Sequence, residues 1–384
     1  VRSSAASDVY KRQRGSDMNT YIPGTEKDIR ILGRVGGKEE PAFFWTGSGI
    51  EFTVDGSELS IEFITDYEIY EQWIRVEIDG FSMIRTALPK GRSTLTIYRN
   101  MNPDNVRNIR VVKEVQPMMA DKSGLLIVSE IHSDGKLRKL QPKKYKLEFI
   151  GDSITSGEGL AGAYGVWEWN SAVFSTKGHY VLTTADNLGA DYRIISQSGW
   201  GVCSSWDNDP RRTLPRYYEQ VCGLLSGRGQ LEAGAGEKYG FDAWQPDAVM
   251  VNLGTNDASA FQNNAWVDEN TGESFKQKLN ADGSFEEKSL ERFETAVYNF
   301  LVLIRKNNPK AHIVWLYGMI GRVMEPYILE TLERYKMDYN DENAAYLQLP
   351  DLKTEWMGAN NHPGVPSHGA AADVITEYLR EILK

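Results

Sequence analysis

The sequence predicts a protein of the α/β class built in two parts: an all-β sandwich or jelly roll over residues 18–140, then a three-layer α/β/α domain over residues 141–384. Two rhythms of hydrophobicity lead there. Between residues 28 and 130, short stretches rich in Ile, Val, Phe, Tyr and Thr are broken by turn signals and show no helical period, the pattern of an antiparallel sandwich. After "QPKKYK" at residues 141–146, apolar runs alternate with helical segments, which implies a parallel sheet with helices on both faces. A length of 384 residues also suits about two domains better than one core.

In chain order, "SSAASDVYKRQ" (residues 3–13) resembles translated sequencing-adapter read-through, so residues 1–17 are set aside from the fold. No charged-then-apolar signal segment follows Met18, which predicts a cytoplasmic protein if the chain starts there, or a secreted one whose leader is missing from this sequence. "IEFTVDGSELSIEFI" (50–64) and "WIRVEIDGFSMIRTAL" (73–88) alternate apolar and polar residues around Asp55-Gly56 and Asp79-Gly80. Both read as hairpins, because Asp-Gly supplies the positive φ angles of a tight turn. "STLTIYRN" and "NIRVVKEV" continue the series. Beyond the boundary, apolar runs at 147–150, 192–195, 248–253 and 313–317 read as buried parallel strands. In "SLERFETAVYNFLVLIRKNNP", Phe293, Ala296, Val297, Phe300, Leu301 and Ile304 follow the helical period, with Pro309 just past the end. "HGAAADVITEYLREILK" closes the chain as a second amphipathic helix. Residues 258–288 are polar and weakly periodic, a long insertion that serves either as a binding loop or as surface decoration.

Composition narrows the function classes. With 41% hydrophobic and 25% charged residues, the chain matches a globular protein, and no apolar run approaches the roughly 18 residues of a membrane span. A net charge of -10 argues against nucleic acid as partner, since binding a polyanion requires clustered Lys and Arg, and favours a neutral or weakly charged substrate. Cys203 and Cys222 are too few for a disulfide framework or a four-thiolate zinc site and read as small buried apolar residues. The five histidines include no HExxH, so neither a metal nor a cofactor is expected.

In open parallel sheets, ligands bind at the carboxyl ends of the strands. Three of the four runs finish there in small or amide residues: Gly151-Asp152-Ser153, then Ser196-Gln197-Ser198-Gly199, then Gly254-Thr255-Asn256-Asp257. "NNHPGVPSH" follows just before the last helix. A hydroxyl, a flexible turn, an amide and an imidazole on one rim are the set that acyl transfer requires. These blocks resemble the GDSL-type, or SGNH, hydrolases, whose motifs carry Ser, Gly, Asn and His in that order. Ser153 in "GDSITSGEG" matches the nucleophile, Gly199 in "SQSGWG" the second block, Asn256 in "LGTND" the third and His362 in "NNHPG" the fourth. The resemblance runs from residue 145 to the C-terminus and implies a flavodoxin-like three-layer fold. With a β-rich part in front, the likeness narrows to carbohydrate esterase family 2, which removes O-acetyl groups from polysaccharides.

The resemblance implies a Ser-His mechanism in which His362 takes the Ser153 proton. The oxyanion would be held by the Ser153 and Gly199 N–H groups and the Asn256 amide, with Gly201 an alternative to Gly199. One departure stands out. The family usually carries Asp three positions before the His, where this chain has Ala359, and losing the orienting acid costs about 10⁴ in rate. Some family 2 esterases resemble this case and use a main-chain carbonyl, which is the expectation here, with Glu355 and Asp351 as alternatives. Trp167, Trp169, Trp200 and Trp206 follow the first two strand ends and are candidates for stacking on sugar rings. The function expected is acetyl-ester hydrolysis on xylan- or mannan-type oligosaccharides or polysaccharides. A lipase or thioesterase of the same superfamily, or a non-catalytic glycan-binding protein, stands as the alternative.

Overall fold

In the computed structural model, which describes residues 18–384, the chain forms two antiparallel sheets followed by one parallel sheet. The stretch read as adapter-derived, residues 1–17, lies outside the described residues. One antiparallel sheet is built around Leu125–Ser133, Leu59–Asp66 and Gly91–Tyr98, the other around Gly49–Val54, Arg107–Lys113, Trp73–Ile78 and Phe81–Ala87. Alternation determines which side chains go inside. Leu59, Ile61 and Phe63 are fully buried between the sheets, where they join Phe52, Val54 and Val76, while Ser60 and Glu62 point outward.

The two Asp-Gly turns differ. Asp79 (φ 52) and Gly80 (φ 82) are both left-handed and close a hairpin in which Ile78 faces Phe81. The hairpin expected at Asp55-Gly56 does not form. Gly49–Val54 pairs with Arg107–Lys113, whereas Leu59–Asp66 lies in the opposite sheet on Leu125–Ser133, so the chain arches from one sheet to the other. The segment after Ser133 occupies this turn: Lys136 N–H donates to the Asp55 carboxylate at 2.6 Å, and a Cβ on Gly56 would overlap Gly135. Alternation around a turn is the same for an arch and a hairpin, and only this third segment distinguishes them.

The parallel sheet runs Ala190–Ser196, Tyr145–Gly151, Ala248–Asn252, His312–Met319, Ala344–Asp351. Four of these strands contain the expected apolar runs. The fifth, "AAYLQLPD", was not anticipated; it is a half-buried edge strand whose short apolar run, Ala344 to Leu347, is cut off by Gln348 and Pro350. Neighbouring residues serve opposite faces. Val249, Val251, Ile313 and Trp315 pack with Phe293, Val297 and Phe300 of the helix Glu287–Asn307. Ala248, Met250, Val314 and Leu316 pack with Ala372, Ile375 and Leu379 of the helix Val365–Ile382. Cys222 is buried in the first of these cores, while Cys203 is only half-buried at its edge, its sulfur facing Gln277 Nε2 at 3.5 Å. Among the described residues, no group of side chains is placed to hold a metal ion, and no helix is long and apolar enough to cross a membrane.

The antiparallel sheets grip the loops on the parallel sheet. Glu114 is fully buried and binds Arg75 (3.2 Å), Arg85 (2.8 Å), Ser175 Oγ (2.9 Å) and Thr176 N–H (2.8 Å). Arg85 also donates to the Ala172 and Phe174 carbonyls at 2.8 and 2.9 Å. Removing one partner of such a buried set leaves uncompensated charge, so Glu114→Ala should lower stability by about 3–5 kcal/mol. Urea melts followed by tryptophan fluorescence check this.

Candidate active site

Gly151 faces Ser196 on one side and Asn252 on the other, so the segments leaving these three strands start at one level on the carboxyl rim. Ser153 begins the short helix Ser153–Ser156 directly after its strand. Asp152 caps that helix by accepting the Ile154 N–H at 3.0 Å, and a Cβ on Gly151 would overlap Thr155 Oγ1. The sharp strand-to-helix turn therefore needs glycine at 151. It leaves the Ser153 N–H without an intrahelical partner, free to donate.

His362 meets Ser153 from the segment before the last helix. Its Nε2 lies 2.7 Å from Ser153 Oγ, and its Nδ1 lies 2.8 Å from the Asn360 carbonyl oxygen. A carbonyl only accepts, so Nδ1 carries the hydrogen and the Nε2 lone pair faces the serine hydroxyl. Ala359, at the position of the missing Asp, is fully buried against the backbone of Gly159 and Gly162, which leaves no room for a carboxylate. The alternatives point elsewhere: Asp351 pairs with Arg322, and Glu355 is exposed on its own helical turn.

Two residues not singled out from sequence shape this arrangement. Asn360 is left-handed (φ 55, ψ 27), and that conformation aims its carbonyl at the ring two residues on. Its N–H donates to Val166 O (2.8 Å), its Oδ1 accepts from Glu168 N–H (2.9 Å), and its Nδ2 donates to Glu168 O (3.0 Å) and Glu158 Oε1 (3.1 Å). Glu158 Oε2 in turn lies 3.7 Å from His362 Nε2. The available signals were the Asn-Asn pair preceding His362, since Asn tolerates the left-handed region, and an acid five residues after Ser153.

Asn256 reaches the same rim: its Nδ2 donates to Trp200 O at 2.9 Å and approaches Asp152 Oδ2 at 3.3 Å. Gly199 is left-handed (φ 79), with the Trp206 indole packed where a side chain would begin. Gly201 is pressed instead against Ser204 O and Asp257, so it serves the loop and not the rim. A cavity of about 750 Å³ opens over the pair, lined by Trp167, Trp169, Trp206, Asn256, Asn360 and His362. Ser259 and Asn263 of the 258–288 insertion complete its wall. Trp200 corrects the expectation made for it. It is 3% exposed, packs on Tyr217 in the core and gives the site only its carbonyl, whereas Trp167, Trp169 and Trp206 are 67%, 49% or 48% exposed in the order 167, 206, 169.

The "GDSL-like Lipase/Acylhydrolase" family model matches residues 147–354. The chain belongs to the GDSL-like lipase/acylhydrolase family. Its fold superposes on an acetyl xylan esterase, Est2A, from the rumen bacterium Butyrivibrio proteoclasticus, with a TM-score of 0.93 and 39% identity, covering 96% of this chain and 98% of that one. It is 23% identical over 350 residues to the cellulase/esterase CelE of Acetivibrio thermocellus, covering 89% of this chain but spanning only 38% of that protein. It is also 23% identical over 380 residues to an acetylxylan esterase / glucomannan deacetylase of Cellvibrio japonicus, covering 94% of this chain and 91% of that one. The family resemblance drawn from the four motif blocks is thus borne out.

In this GDSL-like acylhydrolase, buried polar groups underlie the rim. His368 lies inside the last helix and accepts the Tyr180 N–H through Nδ1 at 3.2 Å; Gly364 is the cap residue. Burial pushes its neighbour His179 down to about 4, so that ring stays neutral. Burial likewise pushes Asp152 up to about 7 and Asp257 up to about 6, where Asp257 accepts the N–H groups of Val202 and Cys203 at 3.0 and 2.8 Å. A carboxyl whose folded value is raised contributes its stability below the unfolded value, near 4, and loses it as pH rises toward the folded value. Between roughly pH 4 and pH 7, wild-type stability should therefore fall relative to Asp152→Asn, by up to a few kcal/mol. Paired urea melts across that range measure the difference.

Proposed function

We propose that the chain is a carbohydrate O-acetyl esterase of the family 2 type, acting on xylan- or mannan-type oligosaccharides and polysaccharides through a Ser153–His362 dyad. The observation that carries this reading is the His362 Nε2 to Ser153 Oγ contact at 2.7 Å with a carbonyl on Nδ1, beneath a cavity walled by three tryptophans. His362 takes the hydroxyl proton as Ser153 Oγ bonds to the acetyl carbon, and the carbonyl π pair moves onto oxygen. Donation to that oxygen comes from the Ser153 and Gly199 N–H groups and from the Asn256 amide hydrogen that turns from its longer, 3.3 Å contact with Asp152 Oδ2. Collapse of the intermediate expels the sugar oxygen, which takes the proton from Nε2 and leaves as a hydroxyl; His362 then deprotonates water as it attacks the acetyl carbon, and Ser153 Oγ leaves with that proton as acetate is released.

The cavity suits a neutral sugar. Indole faces offer an apolar surface for a pyranose ring, and Asn256, Asn263 and Ser259 offer hydroxyl partners. Glu158, Glu168 and the Asn256 and Asn263 side chains interrupt the indole faces, unlike the continuous apolar groove that a long acyl chain requires. We take the antiparallel part, residues 18–140, as a jelly-roll module that supports the rim of the hydrolase part, residues 141–384; its grip on the 172–176 loop through Glu114 and Arg85 supports that role.

Acetate release from acetylated xylan and glucomannan fragments tests the assignment. Wild type should release acetate and accept a fluorophosphonate on one serine, while Ser153→Ala should lose at least about 10⁴-fold in rate and form no adduct. Asn256→Ala should lose about 10²–10³ in kcat. A strong preference for p-nitrophenyl octanoate over the acetate would overturn the carbohydrate reading. Among the tryptophans, Trp169→Ala should raise KM for oligosaccharide several-fold with little loss of stability, whereas Trp200→Ala should cost about 3–5 kcal/mol of stability. Steady-state kinetics beside urea melts separate the two effects.

A further inference from the structure

Charge balance in the Ser153–His362 pair points to a residue outside it. When Nε2 takes the hydroxyl proton the ring becomes a cation, yet its partner on Nδ1 is the neutral Asn360 carbonyl. A carbonyl dipole orients the ring but brings no opposing charge. Glu158 can supply one: its Oε2 lies 3.7 Å from Nε2, with its side chain only 6% exposed and its Oε1 held by Asn360 Nδ2 at 3.1 Å. Among the described residues it is the one carboxylate within 4.0 Å of a His362 nitrogen. Local chain geometry sets it there. Gly157 ends the Ser153 helix in the left-handed conformation (φ 76), and the Glu158 N–H donates to the Ser153 carbonyl at 3.1 Å. One turn of chain thus presents both the hydroxyl and the carboxylate.

We propose that Glu158 is a positioning residue that stabilises the protonated His362 ring from the Nε2 side, standing in for the acid that the Ala359 position cannot hold. The inference rests on the esterase reading above. Opposite charges at such a distance attract several times more strongly in a partly desiccated site than in bulk water. The other ionisable groups around the ring are Glu168, which lines the same cavity, Asp152 beneath Ser153, and His368 on the last helix, which burial holds neutral. None of them reaches Nε2. The proton itself stays on the histidine until the leaving alcohol takes it.

The test compares the full chain with Glu158→Gln and Glu158→Asp on p-nitrophenyl acetate over roughly pH 5 to 9, the range in which an imidazole base titrates. Gln keeps the size and an acceptor for Asn360 but removes the charge. It should lower kcat about three- to tenfold with KM nearly unchanged, following the Brønsted dependence of base catalysis. It should also move the acidic limb of the kcat/KM profile lower, because it removes the carboxylate that lies 3.7 Å from Nε2. Glu158→Asp, which keeps the charge, should hold the limb near its wild-type position. An unmoved limb in Glu158→Gln would reduce Glu158 to a strut for Asn360 and overturn the inference. If Glu158→Gln does not fold, Glu158→Ala takes its place: a limb moved lower supports the role of the charge and an unmoved limb overturns it. A wild type that releases no p-nitrophenol would instead overturn the esterase reading.

Discussion

The hydrogen bond between His362 Nε2 and Ser153 Oγ depends on a proton placed elsewhere, on Nδ1, by the Asn360 carbonyl. An imidazole with the opposite tautomer would offer the serine a donor in place of a lone pair. The carbonyl points correctly because Asn360 and Asn361 are both left-handed, a conformation that costs most residues energy and is tolerated by Asn. Such a backbone persists only where its surroundings hold it, and here four hydrogen bonds tie Asn360 to Val166, Glu168 and Glu158. The orientation of the His362 ring and the position of the Trp167–Trp169 wall are therefore coupled through one residue.

That wall has a second anchor in the antiparallel sheets. Arg85 and Glu114 hold residues 172–176 from below, and Gln116 Oε1 accepts the Ser198 N–H at 2.8 Å, next to Gly199. Both loops that border the cavity from the first two strand ends thus lean on the strand Arg107–Lys113 and the residues just after it. Buried ion pairs add little net stability over apolar packing, but they tolerate few alternative geometries, which suits loops that must keep donors and aromatic faces in register. Further junction contacts are built the same way: Arg34 binds Glu148 at 2.9 Å beneath the Tyr239 ring, and Arg110 grips Asp186 at 2.7 and 2.8 Å.

Charge under the rim is kept low by burial. Asp152 and Asp257 both have raised values, so the ground beneath Ser153 and Asn256 carries less negative charge at moderate pH than two free carboxylates would. Their structural work is done by acceptor oxygens, on Ile154 N–H and on the 202–204 backbone, and does not require full ionisation.

Local pattern made the four chemistry-bearing blocks, the parallel strands that carry them and the long helices legible, because strand-end turns and the 3.6 period are written within a few neighbouring residues. The sequence by itself determined that Ser153, Gly199, Asn256 and His362 would sit at strand ends or beside the last helix, and that the aspartate of the usual triad was absent. It did not reveal the edge strand Ala344–Asp351, whose short, half-buried apolar run stops at Gln348 and Pro350, or the arch at Asp55-Gly56, whose partner segment lies about eighty residues away. Only the tertiary structure decided what orients His362, that Glu158 stands beside it, and that Trp200 belongs to the core while Trp167, Trp169 and Trp206 face the cavity. The reason is physical: a main-chain carbonyl has no residue identity to read, and the burial of an indole is set by what distant segments pack against it.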